Sequence, residues 1–415
     1  MQRGSSRWRT YAAASAVVAA CAVTAACTST APGNQTDQAS PASTAVPGDG
    51  AAAPGAVAIA DPPTTGSPGA ACVTQEFGDL TLAQRVGQLF LVGVDGDIAG
   101  PELTAAEASY HFGSFLLNSS AAGTAQLAPQ TAAMQALAAS DTDGIRFFIA
   151  ANQEGGEVQQ LTGPGFTTMP SELEQGTWSL STLRTAATKW GTDLRAAGVN
   201  LNLAPVMDVV PQATAASNAP IGALDREFGY DPTTNGQDGT AYIQGMAAAG
   251  VMSVAKHFPG LGRVTGNTDF TSNVVDNVTT ASDPYLNSFR AAVSAGVPMV
   301  MVALATYTKI DPTQLAVFSP TVMKLLRSGL GFNGVIMSDD LGEAAAVQSV
   351  APGTRAIRFL TAGGDLITSQ TLGPAEQMAA AVLAQAEESA TFRAAVNAAA
   401  QKVLTAKQAA GLLPC

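Results

Sequence analysis

The sequence predicts a closed barrel of eight parallel strands, each followed by a helix. Eight short apolar runs alternate with Ala-rich helical stretches along the chain, the pattern of a parallel sheet built from strand–helix units. Polar residues collect just after four of those runs, where a barrel of this kind keeps its chemistry. The chain has 415 residues, 47% apolar, enough for one barrel of ordinary size beyond a leader.

The runs cover residues 86–94, 112–117, 146–151, 200–207, 251–255, 298–305, 334–337 and 365–368. Each is strand-like by length and by its flanking turn residues. The first is the most ambiguous, because residues 81–89 also read as a helix. Helical patterns fall between them at 124–139, 181–197, 236–248, 282–295 and 319–328, and residues 374–412 read as one or two closing helices. A doubly wound open sheet is the alternative architecture.

The N-terminus precedes this pattern. Arg3, Arg7 and Arg9 lead into an uncharged Ala/Val-rich run, residues 11–26, shorter than the roughly 20 residues of a membrane span. A secretory leader over residues 1–26 fits better. Two lipoprotein-like boxes compete, ending at Cys21 and at Cys27. Cleavage before Cys27 leaves Cys27 for lipidation and Cys72 and Cys415 as an even pair, so a Cys72–Cys415 disulfide is expected in an oxidising compartment. Residues 28 to about 70 are rich in Ala, Pro, Ser, Thr and Gly and contain no aromatic residue. They read as a tether, spanning about 35 Å as a flexible coil. The expected organisation is leader 1–26, tether 27–71 and barrel 72–415. The formal charge of −12 and the absence of a basic run leave no electrostatic footprint for nucleic acid.

Four strand ends carry the polar residues: Asn152-Gln153-Glu154-Gly155-Gly156, Ala204-Pro205-Val206-Met207-Asp208, Lys256-His257 and Ser338-Asp339-Asp340. In a parallel barrel they converge on one rim. Asp340 is a candidate helix cap, which leaves Asp339 for the pocket. The chain has two histidines, His111 and His257, and His111 precedes the second strand, at the opposite rim. No cysteine lies mid-chain, so a His- or Cys-based metal site and a thiol nucleophile both lack residues. No glycine-rich phosphate loop is present. What remains is carboxylate chemistry beside cations, for which glycoside hydrolysis through paired acids is the natural candidate.

These motifs resemble glycoside hydrolase family 3, in its single-domain β-N-acetylglucosaminidase branch, with an actinobacterial lipoprotein type of leader. The matching text is Gln153-Glu154-Gly155-Gly156, Asn202 to Val209, Ile221-Gly222 with Arg226 and Phe228-Gly229, Lys256 to Gly260, and Gly331 to Leu341. The resemblance implies a retaining mechanism with Asp339 as nucleophile, Lys256, His257 and Arg226 on sugar hydroxyls, and Asp208 supporting the pocket. It assigns Glu154 no chemical step, which fits a buried structural carboxylate. It implies no metal or organic cofactor.

The departures sit in one loop and at one strand end. Where the branch reads KHFPGHG and then Asp-Ser-His, its last His being the acid/base, this chain has Leu261, Asn267 and Asp269. Asn152 replaces the Asp that holds sugar hydroxyls, and Glu157 stands where a basic residue is common. Three readings stand open: Asp269 is a carboxylic acid/base, the protein binds sugar without turnover, or its sugar specificity has shifted. Asn267 fits a loop or orienting role, and Gly266 to Asp269 is also ordinary turn chemistry. The sequence reading is a lipid-anchored, extracytoplasmic, monomeric glycosidase that removes β-linked N-acetylhexosamine from wall-derived oligosaccharides or muropeptides.

Overall fold

The computed structural model describes residues 68–95 and 100–415. The leader, Cys21, the lipidation site Cys27 and residues 28–67 of the tether lie outside the described residues. Residues 68–71, expected as tether, instead begin a helix, Pro68–Asp79. Among the described residues no helix is long and apolar enough to cross a membrane.

Eight parallel strands close into the barrel: β1 (Phe90–Val94), β2 (Ser114–Leu117), β3 (Phe148–Ala151), β4 (Leu201–Asn202), β5 (Met252–Phe258), β6 (Met299–Val302), β7 (Val335–Asp340) and β8 (Leu366–Ser369). Each pairs with its sequence neighbours, and β8 returns to β1 through Phe90↔Ile367 and Val92↔Ser369. All eight expected runs therefore carry a strand, and the open-sheet alternative is excluded. The first run divides: Leu82–Gly87 is a helix capped by Thr81, whose side chain and that of Gln84 satisfy each other's backbone donors, and the strand starts only at Phe90. The strands are buried on both faces, which is why they read as continuous apolar runs.

Helices cover the outside. The helix after β2 is Thr124–Asp141, the one after β3 is Leu180–Ala196, and the one after β4 is Pro232–Ala248, its first turn capped by Asp231. Leu372–Glu388 and Ala390–Ala409 close the fold. A disulfide joins Cys72, in the first helix, to Cys415, with Cα atoms 5.7 Å apart. Around it Val73, Leu80, Ile145, Leu404 and Leu413 form a small apolar cluster separate from the main core. On the same closing helix Lys407, fully buried, donates to Gln88 Oε1 at 2.6 Å and to the Gly113 carbonyl at 2.8 Å. Burial pushes its amine down to about 7.

Two ladder irregularities position the chemistry. β5 slips against β6 between Ala255 and Phe258, and β7 slips against β8 between Met337 and Asp340. In a regular strand adjacent side chains face opposite ways. At these slips adjacent residues both reach one pocket: Lys256 with His257, and Asp339 with Asp340. Strand irregularities that re-aim side chains are a recurrent device beside active sites.

Candidate active site

The pocket opens at the C-terminal ends of the strands, where Asn152, Arg226, Lys256, His257, Asp269 and Asp339 all line it. Its cationic wall is organised by Glu154. That carboxylate is 1% exposed and accepts Arg226 Nε at 2.7 Å, Arg226 Nη2 at 2.8 Å and Lys256 Nζ at 2.6 Å. Burial alone would raise its pKa, but the Arg226 charge and then the Lys256 charge overcome this and hold it down to about 2. Arg226 spends a further donor on the Pro220 carbonyl and Lys256 one on Asn152 Oδ1 at 2.8 Å. Both cations are therefore fixed before any ligand arrives, each with donor capacity left over.

Asp208 does the same for the imidazole. Its carboxylate meets His257 Nδ1 at 2.7 Å, and it accepts the backbone N–H of His257 and of Leu261. Pairing to a carboxylate places the proton on Nδ1 and leaves Nε2 to the pocket. Leu261 is buried and lines the pocket.

At the end of β7 the two aspartates divide their roles. Asp340 accepts the backbone N–H of Gly342, Glu343 and Gln370, so it caps the turn after the strand. Burial raises its carboxyl despite these bonds. Asp339 is half-buried, and the hydrogen bond recorded for its side chain is the one it accepts from the Asp340 N–H. Its carboxylate is thus available to a ligand.

Asp269 stands across the pocket on a tight turn. Asn267 Oδ1 accepts the Asp269 N–H at 2.9 Å, and the Asn267 carbonyl accepts those of Phe270 and Thr271. The turn is pinned to the segment after β7, where Ala345 and Ala346 donate to the carbonyls of Asp269 and Thr268. Although Asp269 is exposed at the pocket mouth, protein packed around its carboxyl and then the Asp339 charge raise it to about 6, against the pull of Arg226 and His257. Two carboxyls in one pocket, one with its oxygens open to a ligand and one held protonated up to about pH 6, form an acid–nucleophile arrangement.

Residues 81–406 match the Glycosyl hydrolase family 3 N terminal domain. The β-hexosaminidase of Xanthomonas campestris pv. campestris is 32% identical over 300 residues, covering 67% of this chain and 83% of that protein. Among solved structures, the β-N-acetylhexosaminidase from Beutenbergia cavernae is 46% identical with a TM-score of 0.76, covering 79% of this chain and 99% of that one. LpqI of M. tuberculosis is 29% identical with a TM-score of 0.67, covering 79% and 94%. This chain belongs to glycoside hydrolase family 3.

Within this family 3 glycosidase the structure brings together the residues singled out in the sequence. Asn152, Arg226, Lys256, His257, Asn267, Asp269 and Asp339 line one pocket, and Glu154 and Asp208 stand directly behind it. His111, which ends the helix Pro101–Tyr110, is outside it. Sequence reasoning missed two groups. Glu172 is fully buried and accepts the Val206 N–H with both carboxylate oxygens, at 3.1 and 3.2 Å. Burial first, then the nearby Glu154 charge, raises it well above the usual range. It shares a loop-like stretch with Glu174, and no motif marks it. The end of β8 supplies Thr368 and Gln370 to the pocket, and a Gln after a strand carries no sequence signal of its own.

Proposed function

We propose that this family 3 glycosidase removes terminal β-linked N-acetylhexosamine with retention, using Asp339 as nucleophile and Asp269 as acid/base. The observation that carries this reading is the pairing of Asp269, raised to about 6, with Asp339 in one pocket. The relatives' names, β-hexosaminidase and β-N-acetylhexosaminidase, give the sugar class. A loop turn alone would not need a carboxyl held protonated into the range where it can donate.

The chemistry runs in two steps. An Asp339 oxygen attacks the anomeric carbon as the glycosidic C–O bond breaks, and the Asp269 proton goes to the departing oxygen. This leaves a glycosyl ester on Asp339 and a carboxylate at position 269. Water then loses a proton to that carboxylate and attacks the anomeric carbon. The ester C–O bond breaks, Asp339 regains its electron pair, and the sugar leaves with its original configuration. Lys256, Arg226, His257 and Asn152 hold the hydroxyls, and their fixed partners remove most of the ordering cost at the moment of binding.

We further propose that the protein is an extracytoplasmic lipoprotein anchored through Cys27 and acts as a monomer on wall-derived fragments. The anchor rests on the leader, the Cys27 box and the aromatic-free tether in the sequence. Cys27→Ala is expected to move the protein out of the membrane fraction. A release seen with Cys21→Ala instead reassigns the lipid site.

The acid/base test varies the leaving group. Asp269→Ala is expected to lose cleavage of sugar leaving groups by about 100-fold or more, the usual worth of a general acid. It is expected to keep the first step on dinitrophenyl glycosides, which depart without protonation. Added azide should restore turnover of those activated substrates and give the β-glycosyl azide. Equal activity of Asp269→Ala and wild type on both substrate types assigns the acid elsewhere.

A further inference from the structure

We infer that Gln370 reads the 2-acetamido group of the sugar and so sets the preference of this enzyme for N-acetylhexosamine over hexose. The inference rests on the proposed hexosaminidase activity and names the residue that would confer it.

The starting point is the donor and acceptor inventory of the pocket. The Asn152 carbonyl oxygen is engaged by Lys256, and that of Asn267 by the Asp269 N–H. Gln370 is half-buried in the pocket lining, and among the described residues its side-chain amide has no hydrogen-bond partner. It is the one amide there with donor and acceptor both uncommitted. Its backbone is fixed on both sides: its N–H donates to Asp340 Oδ1 at 2.9 Å, and its carbonyl accepts Asn118 Nδ2 at 3.2 Å. β1 leaves room for this placement only because Gly93 has no side chain. A Cβ there would lie 2.1 Å from the Gln370 carbonyl oxygen. The backbone is built to hold this residue, yet its amide binds nothing in the fold.

Position and chemistry then select the ligand group. The Gln370 N–H is tied to Asp340, the neighbour of the proposed nucleophile, and Gln370 and Asp339 line one pocket, so we place its amide on the anomeric side of the bound sugar. The substituent one bond from the anomeric carbon is the one on C2. On the other side of β7, β6 presents Met301 to the pocket, which is apolar. An acetamido group carries one N–H and one C=O, and a side-chain amide offers the complementary pair. Lys256 and Arg226 only donate, and so suit hydroxyl oxygens. Leu116, also lining the pocket, gives the acetamido methyl an apolar contact.

The test holds the leaving group constant and changes C2. Wild type, Gln370→Ala and Gln370→Met are compared on 4-nitrophenyl N-acetyl-β-glucosaminide and 4-nitrophenyl β-glucoside. The readout is the ratio of the two kcat/KM values. Where glucoside turnover is too slow to read, the inhibition constants of N-acetylglucosamine and glucose give the same ratio. Losing two neutral hydrogen bonds should lower the preference for the acetamide by about 10- to 100-fold in both variants. Their thermal midpoints should match wild type, since the amide supports nothing in the fold. Variants that keep the wild-type ratio, or that lose both substrates in proportion, overturn the inference alone. A wild type that prefers the glucoside overturns the hexosaminidase reading itself.

Discussion

Replacing Glu154 with Gln keeps its volume and removes its charge. In the structure this one carboxylate, 1% exposed, accepts three charged donors at 2.6 to 2.8 Å from Arg226 and Lys256. A glutamine offers one acceptor oxygen and turns an N–H₂ toward one of the cations, removing the carboxylate that Arg226 and Lys256 share. The carboxyl is held at about 2, down from 4.5, equivalent to about 3 kcal/mol of preference for the charged form in the folded state. Removing one partner of a buried ion pair costs about 3–5 kcal/mol, which agrees. Because the folded pKa is depressed, the contribution is fully present above about pH 4.5 and is lost as pH falls through about 2. At pH 7 the variant should show the whole effect, a fall of about 1 M in the urea midpoint for a slope near 3 kcal/mol per molar. Kinetically KM should rise and kcat/KM should fall by about 10- to 100-fold for every leaving group, because the hydroxyl-binding cations lose their positions. A variant as stable as wild type would refute the reasoning. If it also lost only substrates with poor leaving groups, Glu154 itself would be the proton donor.

Two more outcomes follow from the same geometry. Asp269 is raised to about 6 and must start protonated, so wild-type kcat/KM should fall above about pH 6 on substrates with poor leaving groups and not on dinitrophenyl glycosides, which need no proton to depart; an equal fall on both belongs to another group. Cys72→Ser opens a bridge between positions 343 residues apart and is expected to cost about 2–5 kcal/mol in urea unfolding, with kcat unchanged because the bridge is outside the pocket lining; equal midpoints for variant and wild type would show that the bridge adds no stability.

The barrel was legible because burial on both faces makes each strand a continuous apolar run, whatever its neighbours. Its edges were less so. Residues 86–89, Val86-Gly87-Gln88-Leu89, end a helix and turn into β1, and periodicity alone does not separate that from a longer strand. The helix Pro68–Asp79 was hidden by small residues shared with the tether, although its Cys72 was recognised through the cysteine count. At the site, Asp339, Lys256 and His257 were legible as polar residues that end apolar runs. Their adjacency in the pocket depends on two ladder slips that no residue type announces. Asp269 could be placed only by its offset from Lys256-His257, and its environment comes from Asp339, 70 positions further along the chain. Gln370 and Glu172 were not legible: one is an ordinary polar residue after a strand, the other is one of two nearby acids, Glu172 and Glu174, and its burial is set by tertiary packing.

The central claim is that Asp339 is the nucleophile of a retaining mechanism. The most direct measurement is mass spectrometry of peptides from enzyme treated with an activated 5-fluoro N-acetylglucosaminide, which keeps the acetamido group and slows hydrolysis of the ester. The account predicts one glycosyl adduct, on the peptide carrying Ser338-Asp339-Asp340, with fragmentation placing it on Asp339. It further predicts that Asp339→Ala takes up no label and that Asp269→Ala is still labelled by the activated reagent. An adduct on Asp340, Asp269 or Glu154, or turnover that yields inverted product without any adduct, would contradict it.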